Sequence, residues 1–171
     1  MNKEIERKFL VDDISIVLKR AWSHESGNCI NWDIWQAYIN DNVRVRVQVL
    51  RQPKEREVHY YLTIKSKRDS IERKEFEIEI DEKHGKELLS EFKKNSIKKS
   101  RYVFEYQEKT WEVDVFKEDN DGLFLAEIEL GSEDEKFELP PGIGKEVTGD
   151  ERYYNSYLSK NPYQDWNENN R

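Results

Sequence analysis

Pairs of like charges, spaced two residues apart, recur along segments that otherwise alternate with apolar residues. Residues two apart in a β-strand point to the same side of the sheet, so each pair would crowd like charge on one face. The acidic pairs are Glu4 with Glu6, Glu75 with Glu77, Glu112 with Asp114, and Glu127 with Glu129, and the basic pairs are Arg44 with Arg46 and Lys99 with Arg101.

Such pairs are useful where a group of opposite charge lies between them, because like charges that face each other destabilise a sheet. Carboxylate oxygens suit hard cations such as Mg²⁺ or Mn²⁺, whereas arginine and lysine suit phosphate oxygens. A metal that bridges phosphate to carboxylate lets both kinds of pair share one cavity. A sheet with one solvated face gives the same alternation without any function. Arginine and carboxylate pairs on several strands nevertheless favour a metal–polyphosphate site.

The alternation predicts about eight β-strands, followed or preceded by short helical patterns. The predicted strands are residues 3–11, 35–39, 42–51, 57–67, 71–81, 98–107, 110–117 and 123–131, and the predicted helices are 12–20, 82–95 and 150–160. Residues 21–35, which hold three tryptophans, are predicted to be a loop. These elements indicate an α+β fold on an antiparallel sheet, with one domain over residues 1–160 and a frayed polar tail over 161–171.

Composition excludes several other classes of protein. Charged residues make up 38% of the 171-residue chain, but five Trp, nine Tyr and seven Phe argue against disorder. A net charge of −7 disfavours non-specific binding to nucleic acid or anionic membrane. The single cysteine, Cys29, excludes an internal disulfide and a multi-cysteine zinc site. The sequence has no apolar run of about 20 residues and no signal-peptide pattern after Met1, so a cytoplasmic location is expected.

Short motifs follow one another in a fixed order from Glu4 to Asn155. They are Glu4-Ile5-Glu6-Arg7-Lys8, Gln36-Ala37-Tyr38, Arg44-Val45-Arg46, Thr63-Ile64-Lys65, Glu75-Phe76-Glu77, Lys99-Ser100-Arg101, Trp111-Glu112-Val113-Asp114, Glu127-Ile128-Glu129, Lys145-Glu146-Val147-Thr148-Gly149-Asp150 and Arg152-Tyr153-Tyr154-Asn155. A single E-x-E-x-K run is common in charged sequences, but the ordered series is specific. It resembles the CYTH superfamily, the triphosphate tunnel metalloenzymes.

The resemblance implies a closed eight-stranded antiparallel β-barrel, a tunnel with a charged lumen, and a few flanking helices. Members hydrolyse inorganic tripolyphosphate, nucleoside triphosphates or thiamine triphosphate with Mg²⁺ or Mn²⁺, and one branch cyclises ATP to cyclic AMP. The short single-domain bacterial type resembles this chain most, which implies an inorganic triphosphatase, as a monomer or homodimer. The Trp-rich segment 21–35 is not part of the family pattern.

The resemblance also implies roles for individual residues. Metal binding is expected for Glu4, Glu6, Glu75, Glu77, Asp114, Glu127 and Glu129, and triphosphate binding for Lys8, Arg44, Arg46, Lys65, Lys99, Arg101 and Lys145. Lys8, Lys99 and Tyr38 are the catalytic candidates, although a core position is the first expectation for Tyr38. Two alternatives stay open at this point: an adenylate cyclase of the same family, and a non-catalytic polyphosphate-binding module. His24, His59 and His84 are not spaced as a metal-binding set.

Overall fold

A computed structural model describes residues 2–23, 29–51, 56–66 and 72–166, and of residues 2–4, 72 and 73 only the backbone is described. The described residues form nine antiparallel β-strands, one more than the eight predicted, and three α-helices, which confirms the prediction of an α+β fold. In chain order the elements are β1 Asn2–Val11, α1 Ile14–Ala21, β2 Ile30–Asn40, β3 Val43–Leu50, β4 Val58–Lys65, β5 Glu72–Ile80, α2 Glu82–Glu91, β6 Ser96–Tyr106, β7 Lys109–Phe116, β8 Phe124–Leu130, β9 Ile143–Glu146 and α3 Asn155–Leu158.

The nine strands form one sheet in the order β5-β4-β3-β2-β6-β7-β8-β1-β9. Strand β1 pairs with β8 over residues 5–10, and its first residues, 2–5, pair with β5 at the other end of the order. Strand β1 therefore has three partners, β8, β5 and β9. The extra strand, β9, pairs with residues 9–11 of β1 and follows the turn that contains Pro140, Pro141 and Gly142.

Several sequence predictions need correction within the described residues. Residues 30–35, predicted to be loop, begin strand β2, which pairs with β3 on one side and β6 on the other. Large aromatic residues such as Trp32 and Trp35 fit a pleated, half-buried surface, so here they favoured strand over loop. The predicted helix 150–160 is a 3-10 turn over Glu151–Tyr153 followed by the short helix α3.

Residues 161–166, predicted to be frayed, pack against the domain. The indole ring of Trp166 contacts the rings of Tyr153, Tyr157 and Tyr163, at centroid distances of 5.4, 6.4 and 5.1 Å. Burial of this large aromatic surface offsets the cost of ordering the chain end. Residues 167–171 lie outside the described residues.

Helices α1 and α2 begin where the sequence provides side-chain caps. The carboxylate of Asp13 accepts hydrogen bonds from the backbone N–H groups of Ser15 and Ile16 at the start of α1, at 2.9 and 3.2 Å. Helix α2 is capped by Asp81 and packs Leu89 against Val45 of β3 and Tyr60 of β4. The longest helix, α2, has 10 residues, and no helix in the described parts of the chain has the length and apolar character of a membrane span.

Gly85 provides a test of the packing of α2. Alanine normally stabilises a helix by about 1 kcal/mol relative to glycine. Here a Cβ atom at Gly85 would overlap with Cδ1, Cγ and Cβ of Tyr60. These atoms belong to a buried side chain, so they cannot easily move away. We therefore expect Gly85→Ala to lower the free energy of unfolding by about 1–2 kcal/mol, since overpacking outweighs the gain in helix propensity.

Urea denaturation of the wild type and the variant measures this effect. The matched control is Ser90→Ala, on the exposed side of the same helix, which should leave the free energy of unfolding unchanged or slightly higher. A Gly85→Ala variant as stable as the wild type would show that α2 does not pack as closely on Tyr60 as the structure has it.

Candidate active site

The strands line a cavity of about 750 Å³ with charged walls. Five of the six basic strand residues that line it were predicted from the sequence, and so were four of the five strand glutamates. The predicted basic residues are Lys8, Arg44, Arg46, Lys65 and Arg101, and the glutamates are Glu6, Glu75, Glu112, Glu127 and Glu129. The sixth basic residue, Lys109 at the start of β7, was not predicted and pairs with Glu135. The cavity wall therefore combines the two kinds of pair that the alternation placed on strand faces.

Arg44 and Arg46 extend from β3 into the cavity, while Val45 between them packs beneath α2 on the opposite face. Nη2 of Arg46 lies 2.9 Å from Oε1 of Glu77, and Nη2 of Arg44 lies 3.8 Å from Oε2 of the same carboxylate. Thr63 donates a hydrogen bond to Oε2 of Glu77 at 2.5 Å. Glu77, predicted to bind metal, does not line the cavity and instead holds this arginine pair.

The arginine pair is largely buried and incompletely bonded. Burial, and then repulsion by Arg44, lower the pKa of Arg46 to about 10. The Nε atoms of Arg44 and Arg46 are buried and have no hydrogen-bond partner among the described residues. A buried donor without a partner costs about 1–3 kcal/mol. An anion that accepts these hydrogen bonds would remove that cost.

Lys8 lies on β1 and lines the same cavity as Arg44 and Arg46. Its Nζ is 2.7 Å from Oε1 of Glu127 and 3.6 Å from Oε1 of Glu6, and it lies 5.9 Å from the ring centroid of Tyr154. Burial raises the pKa of Glu127, but the charges of Lys8 and Arg101 outweigh burial and hold that pKa well below its usual range. Glu127 is therefore ionised and forms ion pairs with the side chains of Lys8 and Arg101.

Lys65 and Tyr38 line the cavity near Arg44. Lys65 forms an ion pair with Glu75, its cross-strand neighbour. The hydroxyl of Tyr38 accepts a hydrogen bond from Nε2 of Gln36 at 2.6 Å. Burial raises the pKa of Tyr38, so the hydroxyl is neutral near pH 7 and able to donate a hydrogen bond.

Glu6 and Glu129 face each other directly across β1 and β8. Cross-strand neighbours have Cβ atoms about 4.5–5.5 Å apart, so the two carboxylates are close enough to share a cation. Glu129 makes no ion pair with any described residue. Glu4 is on the same strand as Glu6, but its side chain lies outside the described residues. His24 also lies outside them.

Three other predicted site residues do not line the cavity. Lys145 is exposed on β9, because β9 pairs with β1 beyond Lys8. Lys99 and Asp114 are each only 1% exposed and bind each other, with Nζ 2.5 Å from Oδ2. Arg152, which belongs to the motif series but was given no role in the site, forms an ion pair with Asp150 at 2.6 Å.

Some cavity residues were absent from the predicted site. Glu112 was recognised as the strand partner of Asp114, and that alternation is the signal that could have identified it. Tyr154, Asn155 and Ser156 come from α3 and the residue before it, and only the tertiary structure brings them to the cavity. The imidazole of His59 on β4 lies within hydrogen-bond distance of Glu57 and Glu79. Among the described residues, no group of three or more His, Cys, Asp or Glu side chains is arranged to hold a metal ion.

Comparison with known proteins gives a consistent family. The CYTH domain matches residues 2–160. A protein of Acetivibrio thermocellus named inorganic triphosphatase is 39% identical over 98% of this chain and 100% of its own length. A protein of Nitrosomonas europaea with the same name is 33% identical over 91% of this chain and 96% of its own.

A solved structure of an inorganic triphosphatase has the same fold, with a TM-score of 0.61 and 30% sequence identity over 93% of this chain and 95% of that protein. The predicted motif series, the charged cavity and these similarities agree. The chain belongs to the CYTH domain family.

Proposed function

We propose that this protein is a divalent-metal-dependent triphosphatase that hydrolyses the terminal phosphoanhydride bond of a triphosphate. Inorganic tripolyphosphate is the favoured substrate, ahead of nucleoside and thiamine triphosphates. The observation that carries the proposal is a single cavity with six basic side chains and an opposed pair of glutamates. The names of the two relatives support the choice of tripolyphosphate.

Five of the six basic side chains form the proposed phosphate cradle: Lys8, Arg44, Arg46, Lys65 and Arg101. Each is between 7% and 17% exposed, so the charges act in a partly desolvated space where their attraction for phosphate is stronger than in water. The unpartnered Nε atoms of Arg44 and Arg46 are the donors that phosphate oxygens would satisfy. Tyr38 adds a neutral hydroxyl beside Arg44.

The carboxylates fit a divalent metal held jointly by protein and substrate. CYTH triphosphatases are metal-dependent. Mg²⁺ is usually held by one or two carboxylates together with substrate phosphates, and Glu6 and Glu129 are such a pair. We propose these two as the principal ligands, with Glu4 beside them, and either Mg²⁺ or Mn²⁺ as the metal. Glu75 and Glu127 are already ion-paired to cradle lysines, which makes them secondary candidates.

In the reaction, water attacks the terminal phosphorus of tripolyphosphate, the bond to the bridging oxygen breaks, and the products are phosphate and pyrophosphate. Phosphoryl transfer asks a protein mainly for positioning and charge stabilisation, which the cradle provides. The bound metal would neutralise phosphate charge and lower the pKa of a coordinated water. Lys8, between Glu6 and Glu127, is positioned to stabilise charge that develops on the phosphoryl oxygens.

We also propose the tunnel, domain bounds, location and oligomeric state that the family resemblance implies. The strands from β5 to β1 would act as a closed eight-stranded tunnel, with residues 1–160 as the catalytic domain and residues 161–171 as an appended segment. The protein would act in the cytoplasm, as a monomer or homodimer, on a small-molecule substrate rather than on nucleic acid or a membrane.

Steady-state kinetics across four substrates test the proposed activity. We expect kcat/KM for tripolyphosphate to exceed that for ATP, GTP and thiamine triphosphate by at least about 10-fold, a difference of about 1.4 kcal/mol in transition-state binding. The reasons are that both named relatives are inorganic triphosphatases and that the charged side chains of the cavity wall suit phosphate groups rather than an organic group. Formation of cyclic AMP and pyrophosphate from ATP would instead identify an adenylate cyclase, and a higher kcat/KM for an organic triphosphate would reverse the substrate assignment.

A further inference from the structure

Arg101 occupies a central place in the cavity wall and is held from several sides. Its Nε donates to Oδ1 of Asp114 and its Nη2 to Oδ2, both at 2.7 Å, which makes a two-point contact. Nη2 also donates to Glu127 at 2.9 Å, and Nη1 donates to Glu112. These contacts use four of the five N–H groups of a guanidinium and leave one Nη1 N–H group for a ligand in the cavity.

Asp114 holds Arg101 from behind the cavity wall. Its carboxylate is 1% exposed, and both oxygens accept hydrogen bonds, with Lys99 as the third donor at 2.5 Å. Burial raises the pKa of Asp114, but the charges of Arg101 and Lys99 outweigh burial and lower it overall. An ionised carboxylate that already accepts three charged donors has little capacity left for a metal ion.

Lys99 lies where the strand faces change from charged to apolar. Ile97 lies two residues before Lys99 on the same face of β6, and Phe116 lies two residues after Asp114 on the same face of β7. Both Ile97 and Phe116 belong to a buried apolar cluster. Nζ of Lys99 lies 5.5 Å from the ring centroid of Phe116. Arg101, two residues from Lys99 on the same face, reaches the cavity, but Lys99 is separated from it.

We propose that Lys99 and Asp114 are positioning residues that act through Arg101, and that neither contacts the triphosphate or the metal. Asp114 fixes the plane and direction of the guanidinium. Lys99 fixes Asp114 and balances its charge, so that Arg101 presents its remaining N–H group to a phosphate oxygen without rearrangement. This inference rests on the proposed function for its substrate, and it differs from the roles that the resemblance implies for both residues.

A double-mutant cycle separates positioning from direct contact. Asp114→Asn and Lys99→Met should each lower kcat/KM for tripolyphosphate by at least about 10-fold, chiefly through KM. In an Arg101→Ala background the same substitutions should change kcat/KM by less than about twofold, because their effect passes through Arg101. The metal concentration for half-maximal activity should change by less than about twofold in Asp114→Asn.

Two results would overturn the inference. One is full multiplicativity of the effects of Lys99→Met and Arg101→Ala, which would make Lys99 a separate phosphate ligand. The other is a rise of about 10-fold or more in the metal concentration that Asp114→Asn requires, which would make Asp114 a metal ligand. The control is Asp33→Asn, a carboxylate held by Lys117 and Ser100 on the opposite face of β2, which should leave both quantities unchanged.

Removal of one buried charge can prevent folding, so a second variant and a second readout are included. Lys99→Met combined with Asp114→Asn removes opposite charges together, and this protein should fold and show the same rise in KM. The Nε–H signal of Arg101 in a ¹⁵N NMR spectrum, assigned by its loss in Arg101→Lys, should be protected from exchange in the wild type and lost in the double variant. A protected signal in the double variant would contradict the positioning role.

The NMR measurement requires no turnover. If the wild-type protein fails to hydrolyse tripolyphosphate, the proposed function fails. The Arg101 signal still decides whether Lys99 and Asp114 hold the guanidinium, so the two failures are distinguishable.

Discussion

Replacement of Glu129 by glutamine is expected to lower kcat for tripolyphosphate by at least about 100-fold, or about 2.7 kcal/mol in activation free energy. The melting temperature of the metal-free protein should be unchanged or higher. Both effects follow from the register that places Glu129 directly opposite Glu6. The pair supplies oxygen ligands to a cation, and without a cation the two negative charges repel each other.

Activity measured over a range of Mg²⁺ and Mn²⁺ concentrations, together with a thermal melt, tests this expectation. Glu6→Gln should behave in the same way. Glu87→Gln, an exposed glutamate on α2, is the control and should retain wild-type kinetics. Wild-type activity of Glu129→Gln at every metal concentration would show that the metal is bound elsewhere.

Replacement of Arg44 by alanine should raise KM for tripolyphosphate by about 10- to 100-fold and lower kcat by a smaller factor. Arg44 is 14% exposed, extends into the cavity, and has a buried Nε without a partner among the described residues. A charge-assisted hydrogen bond to phosphate in this setting contributes about 1.5–3 kcal/mol. Most of that contribution exists before the transition state, which explains the larger effect on KM.

Two variants make this result specific. Arg44→Lys keeps the charge but loses the fork of donors, so its KM should lie between those of the wild type and Arg44→Ala. Arg51→Ala removes an exposed arginine that pairs with Asp33 away from the cavity, and its KM should equal that of the wild type. An unchanged KM in Arg44→Ala would exclude Arg44 from the phosphate cradle.

The sequence predicted the strands and their charged faces because period-two alternation reports directly on pleated geometry. Arg44, Arg46, Glu6, Glu127 and Glu129 line the cavity as that pattern indicates. Strand β2 was predicted too short, since its first residues resemble an irregular aromatic segment.

Depth along a face could not be predicted from alternation. Lys99 and Arg101 share a face of β6, yet only Arg101 lines the cavity, because the strand passes from the cavity into an apolar cluster at Ile97. The same change of surroundings buries Asp114 on β7. The contribution of Tyr154 to the cavity depends on where the chain folds back after β9. Such differences arise from the register of several strands and the path of the C-terminal segment.

The central claim is that this cavity hydrolyses the terminal phosphoanhydride bond of a triphosphate with the help of a divalent metal. The most direct test is ³¹P NMR of tripolyphosphate incubated with the protein, first with Mg²⁺ or Mn²⁺ and then after chelation of the metal. We expect loss of the tripolyphosphate signals and equimolar formation of phosphate and pyrophosphate with metal, and no reaction after chelation. Unchanged tripolyphosphate in the presence of either metal, with binding detected by calorimetry, would contradict the account and identify a non-catalytic polyphosphate-binding module.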